Sequence, residues 1–182
     1  MNTNRLAVGF AMVLLMVVAS GRAEALELTL SGSLDGTFVS TPIDTNGDGT
    51  TATLGLGTLS TALGKFTVQN VAEFLFPLAA PVICPTDNVE FPFLLNTGII
   101  TSGLTGDQIF FEFFTGTLCF DPTTGIGTAS GAGNITGGTG LFEGATGTLT
   151  GVTTVTHVLF DSAGNMAFGS RNGTAAGTLI TP

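Results

Sequence analysis

After residue 25 the apolar residues recur at every second position. Leu26, Leu28 and Leu30 alternate with Glu27, Thr29 and Ser31, and the same pattern returns at 53–56, 58–61, 146–156 and 174–181. A period of two places alternate side chains on opposite faces of a pleated strand. The same region holds 30 Thr and 25 Gly. Thr is β-branched and suits a half-solvated sheet surface, while Gly at this density marks turns, bulges and tight bends. No twelve-residue window carries a helical stripe. The best local exception is a short turn around Gln69 to Phe76, which Pro77 ends. These features confine the chain to an all-β fold.

Turn signals divide the chain at short intervals: Leu34-Asp35-Gly36, Asp44 to Gly49, Gly64-Lys65, Pro85 to Asn88, Asn96-Thr97-Gly98, Gly106-Asp107, Asp121 to Gly125, Gly137 to Gly144 and Ser162 to Asn165. They separate about eight strands, at 26–41, 50–62, 64–75, 89–95, 98–105, 107–119, 126–136 and 145–160, with a ninth candidate at 166–181. Evenly spaced strands with Gly-rich turns predict a sandwich or barrel. The tripeptide Gly-Thr-Leu begins at 57, 116, 147 and 177, the last three about one hairpin apart.

Residues 1–25 read as a cleaved signal peptide. Arg5 supplies the positive charge, an apolar run extends from Leu6 to Ala19, and Ala23-Glu24-Ala25 is an A-x-A cleavage signal. About 14 apolar residues are short for a membrane span, which needs roughly 20. The organisation is therefore a signal peptide, 1–25, and a single domain, 26–182, in a secreted, periplasmic or extracellular protein.

The whole chain has a net charge of −9. Without residues 1–25 its cations are Lys65 and Arg171 alone, against 12 acids. No basic patch can be built from two cations, so nucleic acid is excluded as a partner. The apolar content of 43% excludes a solvated disordered chain. An outer-membrane barrel needs aromatic girdles, and the chain has no Trp or Tyr. Cys84 and Cys119 are an even pair in an oxidising compartment, which suggests a disulfide, with two buried thiols as the other reading.

Several groups are candidates for chemistry. Asp44-Thr45-Asn46-Gly47-Asp48-Gly49 opens like a calcium loop, with Asp44, Asn46 and Asp48 as ligands, but its twelfth position is Gly55 where a bidentate Glu is needed. A polar hairpin turn and a calcium site are both open readings, and no other cofactor is expected. In Gln108 to Phe114, Phe111 and Phe113 share one face, and Phe110, Glu112 and Phe114 share the other. Apolar residues on both faces of a barrel strand predict that a second copy covers the outer one. Glu112, flanked by Phe110 and Phe114, reads either as a carboxyl at a barrel mouth or solvated face or, if it points inward, as a candidate general acid, since a carboxyl buried away from cations resists ionising. Glu73 is open to the same two readings. His157, the only histidine, lacks the elbow motif of a catalytic serine and the further ligands of a zinc site.

Gly133 to Gly147 reads as a strand end, a Gly-rich reversal and a new strand start, with Phe142 able to fold back as a plug over a barrel end. No Lys follows and no helix begins there, so it is not a phosphate loop. This segment resembles the small β-barrel family that includes allene oxide cyclase and the dirigent proteins, in which a GGTGxFxGATG stretch joins two late strands; here it is Gly137 to Gly147. Asp35 to Phe38, Asn46 to Gly49, Gly106-Asp107 and Gly116 to Asp121 resemble secreted bacterial relatives of that family, and the likeness spans roughly 30 to 150. The resemblance implies an eight-stranded antiparallel barrel, a trimer, and a cavity for a hydrophobic ligand. It transfers no catalytic residues.

Two functions follow as expectations. One is a secreted barrel that binds a small hydrophobic ligand or has a structural role. The other is a cyclase- or dirigent-type enzyme that templates a reactive apolar intermediate. The lining of the lumen discriminates between them: a packed lumen is structural, and a cavity with one or two carboxylates is a ligand or reaction site.

Overall fold

The computed structural model describes residues 25–41, 52–75, 82–160 and 166–182. The alternation resolves there into eight strands: β1 (Leu26–Ser40), β2 (Thr53–Thr61), β3 (Gly64–Phe74), β4 (Val89–Ser102), β5 (Gln108–Asp121), β6 (Ile126–Gly138), β7 (Thr146–Phe160) and β8 (Met166–Thr181). Each pairs antiparallel with its neighbours in sequence, and β8 returns to β1 from Leu26↔Thr181 to Val39↔Phe168, closing the barrel. Closure removes the sheet edges, and eight strands leave an interior that side chains nearly fill. The expected all-β, eight-stranded antiparallel barrel is therefore present. The expected leader lies outside the described residues except for Ala25.

The strand membership differs from the expectation. The segments 89–95 and 98–105 are one strand, β4, and 166–181 supplies the eighth. Asn96-Thr97-Gly98 is not a turn: Gly98 pairs with Asn70 on one side and Phe111 on the other. A Cβ at Gly98 would stand 2.7 Å from Phe111 Cζ, so the glycine marks close packing within a strand, not a reversal. Leu34-Asp35-Gly36 likewise runs straight through β1, and Gln69 to Phe74 is extended in β3.

One face of every strand fills the lumen. On β1 these are Leu30, Leu34 and Phe38, while Glu27, Thr29, Ser31, Ser33, Asp35 and Thr37 point out and are exposed. That polar outer row is the reverse of a lipid-facing band. A lower cluster includes Leu30, Leu59, Ile100, Ile109 and Leu179, and an upper one is centred on Phe38, Leu118 and Val155.

Bulges change the inward face within a strand. The β5–β6 register slips between Phe113 and Thr115. Phe111 and Phe113 therefore face the lumen before the bulge and Leu118 after it, and Phe114 is left 65% exposed. The β3–β4 register slips likewise between Glu73 and Phe74.

Two devices fix the barrel's surface features. The Gly137–Gly147 reversal contains a 3₁₀ turn at Gly140–Phe142, with Gly140 at φ +57° and Phe142 packed on the lower cluster. Beside β4 and β5, Cys84 is bonded to Cys119. The Glu90 carboxylate Oε2 accepts the backbone N–H groups of Val82, Ile83 and Cys84 at 2.7, 2.9 and 3.2 Å.

Candidate functional site

The lumen holds a cavity of about 130 Å³, lined by members of both apolar clusters. Its walls are mainly aromatic and aliphatic: Phe38, Phe74, Phe93, Phe111, Phe113, Leu118 and Val155 all contribute. Phe74 and Phe93 meet edge to face with centroids 5.1 Å apart, as do Phe111 and Phe113 at 5.5 Å. These T-shaped contacts are an arrangement that aromatic quadrupoles favour.

A chain of three polar side chains crosses this wall. On β8 the odd positions face inward, so Arg171 shares the face of Leu179. On β3 Asn70 shares the face of Phe66, Val68 and Ala72. Arg171 Nη1 donates to Asn70 Oδ1 at 2.8 Å, and Asn70 Nδ2 donates to Asn96 Oδ1 on β4 at 3.0 Å. Small neighbours give this chain room. Arg171 pairs with Gly36 and Asn70 with Gly55.

The electrostatics of Arg171 are unusual for a chain this acidic. Its Nε and Nη2 are shielded from solvent and have no hydrogen-bond partner among the described residues. Burial holds the guanidinium below its ordinary pKa. Among the described residues no Asp or Glu lines the cavity. An unpaired cation in an apolar enclosure is costly, because nothing replaces the lost hydration.

The residues singled out from sequence are dispersed. Glu112 is exposed on the outer face and does not line the cavity, because the parity that turns Phe111 and Phe113 inward turns Glu112 out. Of the two readings of Glu112, the solvated face is the one its exposure fits, and the lumen reading is corrected. Glu73 is fully buried but is not among the lining residues; Ala72 and Phe74 on either side of it are. Asp44, Asn46 and Asp48 lie outside the described residues. His157 pairs with Gly169 in the β7–β8 ladder. Among the described residues no group of three or more His, Cys, Asp or Glu side chains is placed to hold a metal ion. Cys84 and Cys119 form the expected disulfide.

Sequence reasoning missed Asn70, Asn96 and the inward position of Arg171. The signal for Arg171 was available: in Gly169, Arg171, Gly173, Ala175, Gly177 and Leu179 it is the one charged residue on the Leu179 face.

No protein-family model matches the chain, and no curated protein matches it. Among solved structures the chain is similar to the pterocarpan synthase dirigent protein, with 12% identity, 90% of this chain and 89% of that chain covered, and a TM-score of 0.43. A likeness of this degree assigns neither activity nor ligand.

Proposed function

We propose that the barrel binds one small, largely apolar molecule in its lumen. The observation that carries this reading is the cavity itself: about 130 Å³ between mainly aromatic and aliphatic walls, with the Arg171–Asn70–Asn96 chain on one side and Thr53, Ser130 and Thr153 also on the lining. Apolar concavities with a few convergent polar groups are the usual form of small-molecule sites. A dry cavity of about 150 Å³ takes benzene, so this one suits an apolar body of about six non-hydrogen atoms. Titration with benzyl alcohol and hexan-1-ol tests the reading. Saturable shifts at lumen methyl groups of Leu118 and Val155 are expected. Absence of binding by these alcohols and by acids of the same size would overturn it.

We also propose that the protein works outside the cytoplasm. The Cys84–Cys119 bond is compatible with an oxidising compartment, and the A-x-A signal ends at Ala25. The exported protein is expected to begin at Leu26 or Glu24. N-terminal sequencing that returned Met1 or Asn2 from exported material would refute this.

A further inference from the structure

The Arg171 guanidinium has one donor group in use and one edge idle. Nη1 is engaged by Asn70, while Nε and Nη2 are shielded from solvent and unpartnered among the described residues. Nε–H and Nη2–H are the two parallel donors along one edge of the planar group, and that edge matches the two oxygens of a carboxylate. The group is also held in place. Asn70 donates its amide to Asn96 and so presents its oxygen to Arg171. At Gly55 a Cβ would come within 2.7 Å of Nη1 and 2.8 Å of Cζ, so the absence of a side chain there makes room for the guanidinium.

No carboxylate among the described residues of the cavity wall answers this edge. A neutral ligand would fill the lumen and leave the cation unpaired. A ligand carrying its own anion would pair the cation and bury an apolar body in the same event.

We infer that the lumen ligand is a small organic acid. Its carboxylate pairs with the Arg171 guanidinium, whose shielded Nε–Nη2 edge must turn toward the cavity to receive it, and its apolar body lies among Phe111, Phe113, Leu118 and Val155. This inference rests on the lumen-binding reading above and adds the chemical class of the ligand.

The test compares matched pairs of equal size: hexanoate against hexan-1-ol and benzoate against benzyl alcohol. Wild-type protein should bind each acid at least tenfold more tightly than its alcohol. Acetate should bind far more weakly than hexanoate, since each buried methylene contributes on the order of fourfold. In Arg171→Met the acid and alcohol affinities should come within threefold. Arg171→Lys keeps the charge but loses the fork, and should retain only part of the preference; it also serves if the Met variant does not fold. Alcohols that bind as tightly as acids would overturn the acid proposal and leave the lumen reading standing. Failure of both acids and alcohols to bind would overturn the lumen reading itself. A preference for acids that survives in Arg171→Met would place the carboxylate elsewhere and overturn the assignment. Displacement of hexanoate by equimolar inorganic phosphate would overturn its identity as an organic acid.

Discussion

Arg171 on β8 reaches Asn70 on β3 across the two intervening strands, with Nη1 2.8 Å from Oδ1. Gly55 on β2 pairs with Asn70, and its missing side chain leaves the space the contact uses. Gly55→Ala places a Cβ against both Asn70 Oδ1 and the guanidinium. The expected outcome is a loss of about 1–3 kcal/mol, as for other overpacked interiors. Urea denaturation measures it, and an unchanged midpoint would show that the pair moves aside without loss.

Arg171→Met is expected to act in the opposite direction on the empty protein. Met is unbranched and apolar, and it follows much of the same path. The substitution removes a buried charge with two unpartnered N–H groups, and it leaves Asn70 Oδ1 without its donor. The first effect outweighs the second, because an unpaired ion is costlier to bury than an amide oxygen. The variant should be at least as stable as wild type, by about 1 kcal/mol. A loss above about 2 kcal/mol in chemical denaturation would mean that the guanidinium supports the fold.

The Cys84–Cys119 bond closes a loop of sequence separation 35. In the chain-entropy model such a loop is worth about 4 kcal/mol. Reduction should lower Tm by on the order of 10 °C for a domain of this size. Calorimetry with and without reductant measures this. Two freely alkylatable thiols in the native exported protein would contradict the bond.

Period two made the barrel legible, because inward and outward faces are written directly in the alternation. The Gly-Thr-Leu tripeptides show how directly: Leu59, Leu118, Leu149 and Leu179 are all buried in the lumen. Bulges were not legible. A single extra residue at Phe114 swaps the faces of β5, and nothing local in a run of phenylalanines marks where it falls. The choice of Glu112 failed for a related reason. Its faces were sorted correctly, but two Phe neighbours on each side gave no way to tell lumen from exterior. Asn96 was hidden because Asn-Thr-Gly reads as a turn, whereas β4 uses the glycine for close packing against Phe111.

Glu90 links the chain's stability to acid. The Ile83 N–H, aided by those of Cys84 and Val82, holds its carboxyl below the usual carboxylate range. A carboxyl with a depressed folded pKa contributes stability above its unfolded value near ~4.3, and loses it as pH falls through the folded value. Asp121 acts in the same direction, through the Thr123 N–H and the Thr124 hydroxyl. Glu90→Gln should therefore melt lower than wild type at pH 7, and the two should converge toward pH 3. Melting curves that stay parallel from pH 7 to pH 3 would remove Glu90 from this role.

The outer face offers the last prediction. Val39, Leu54 and Val71 lie side by side in register across β1, β2 and β3. In the adjoining row Leu56, Gln69, Ile99 and Phe110 follow one another across β2 to β5. Val39 is 44% and Leu56 54% exposed, in contrast to the polar outer row of most of β1. We propose that a second copy of the chain covers this stripe. Strand β5 contributes Phe110 to this stripe, while Phe111 points into the lumen. Contiguous apolar surface with few charges is what self-association buries. Light scattering at micromolar concentration should give a multiple of the single-chain mass, and Leu56→Asp should reduce it to one chain that still melts in a cooperative transition. A wild-type monomer, or a Leu56→Asp variant that keeps the oligomeric mass, would show that the stripe does not join copies.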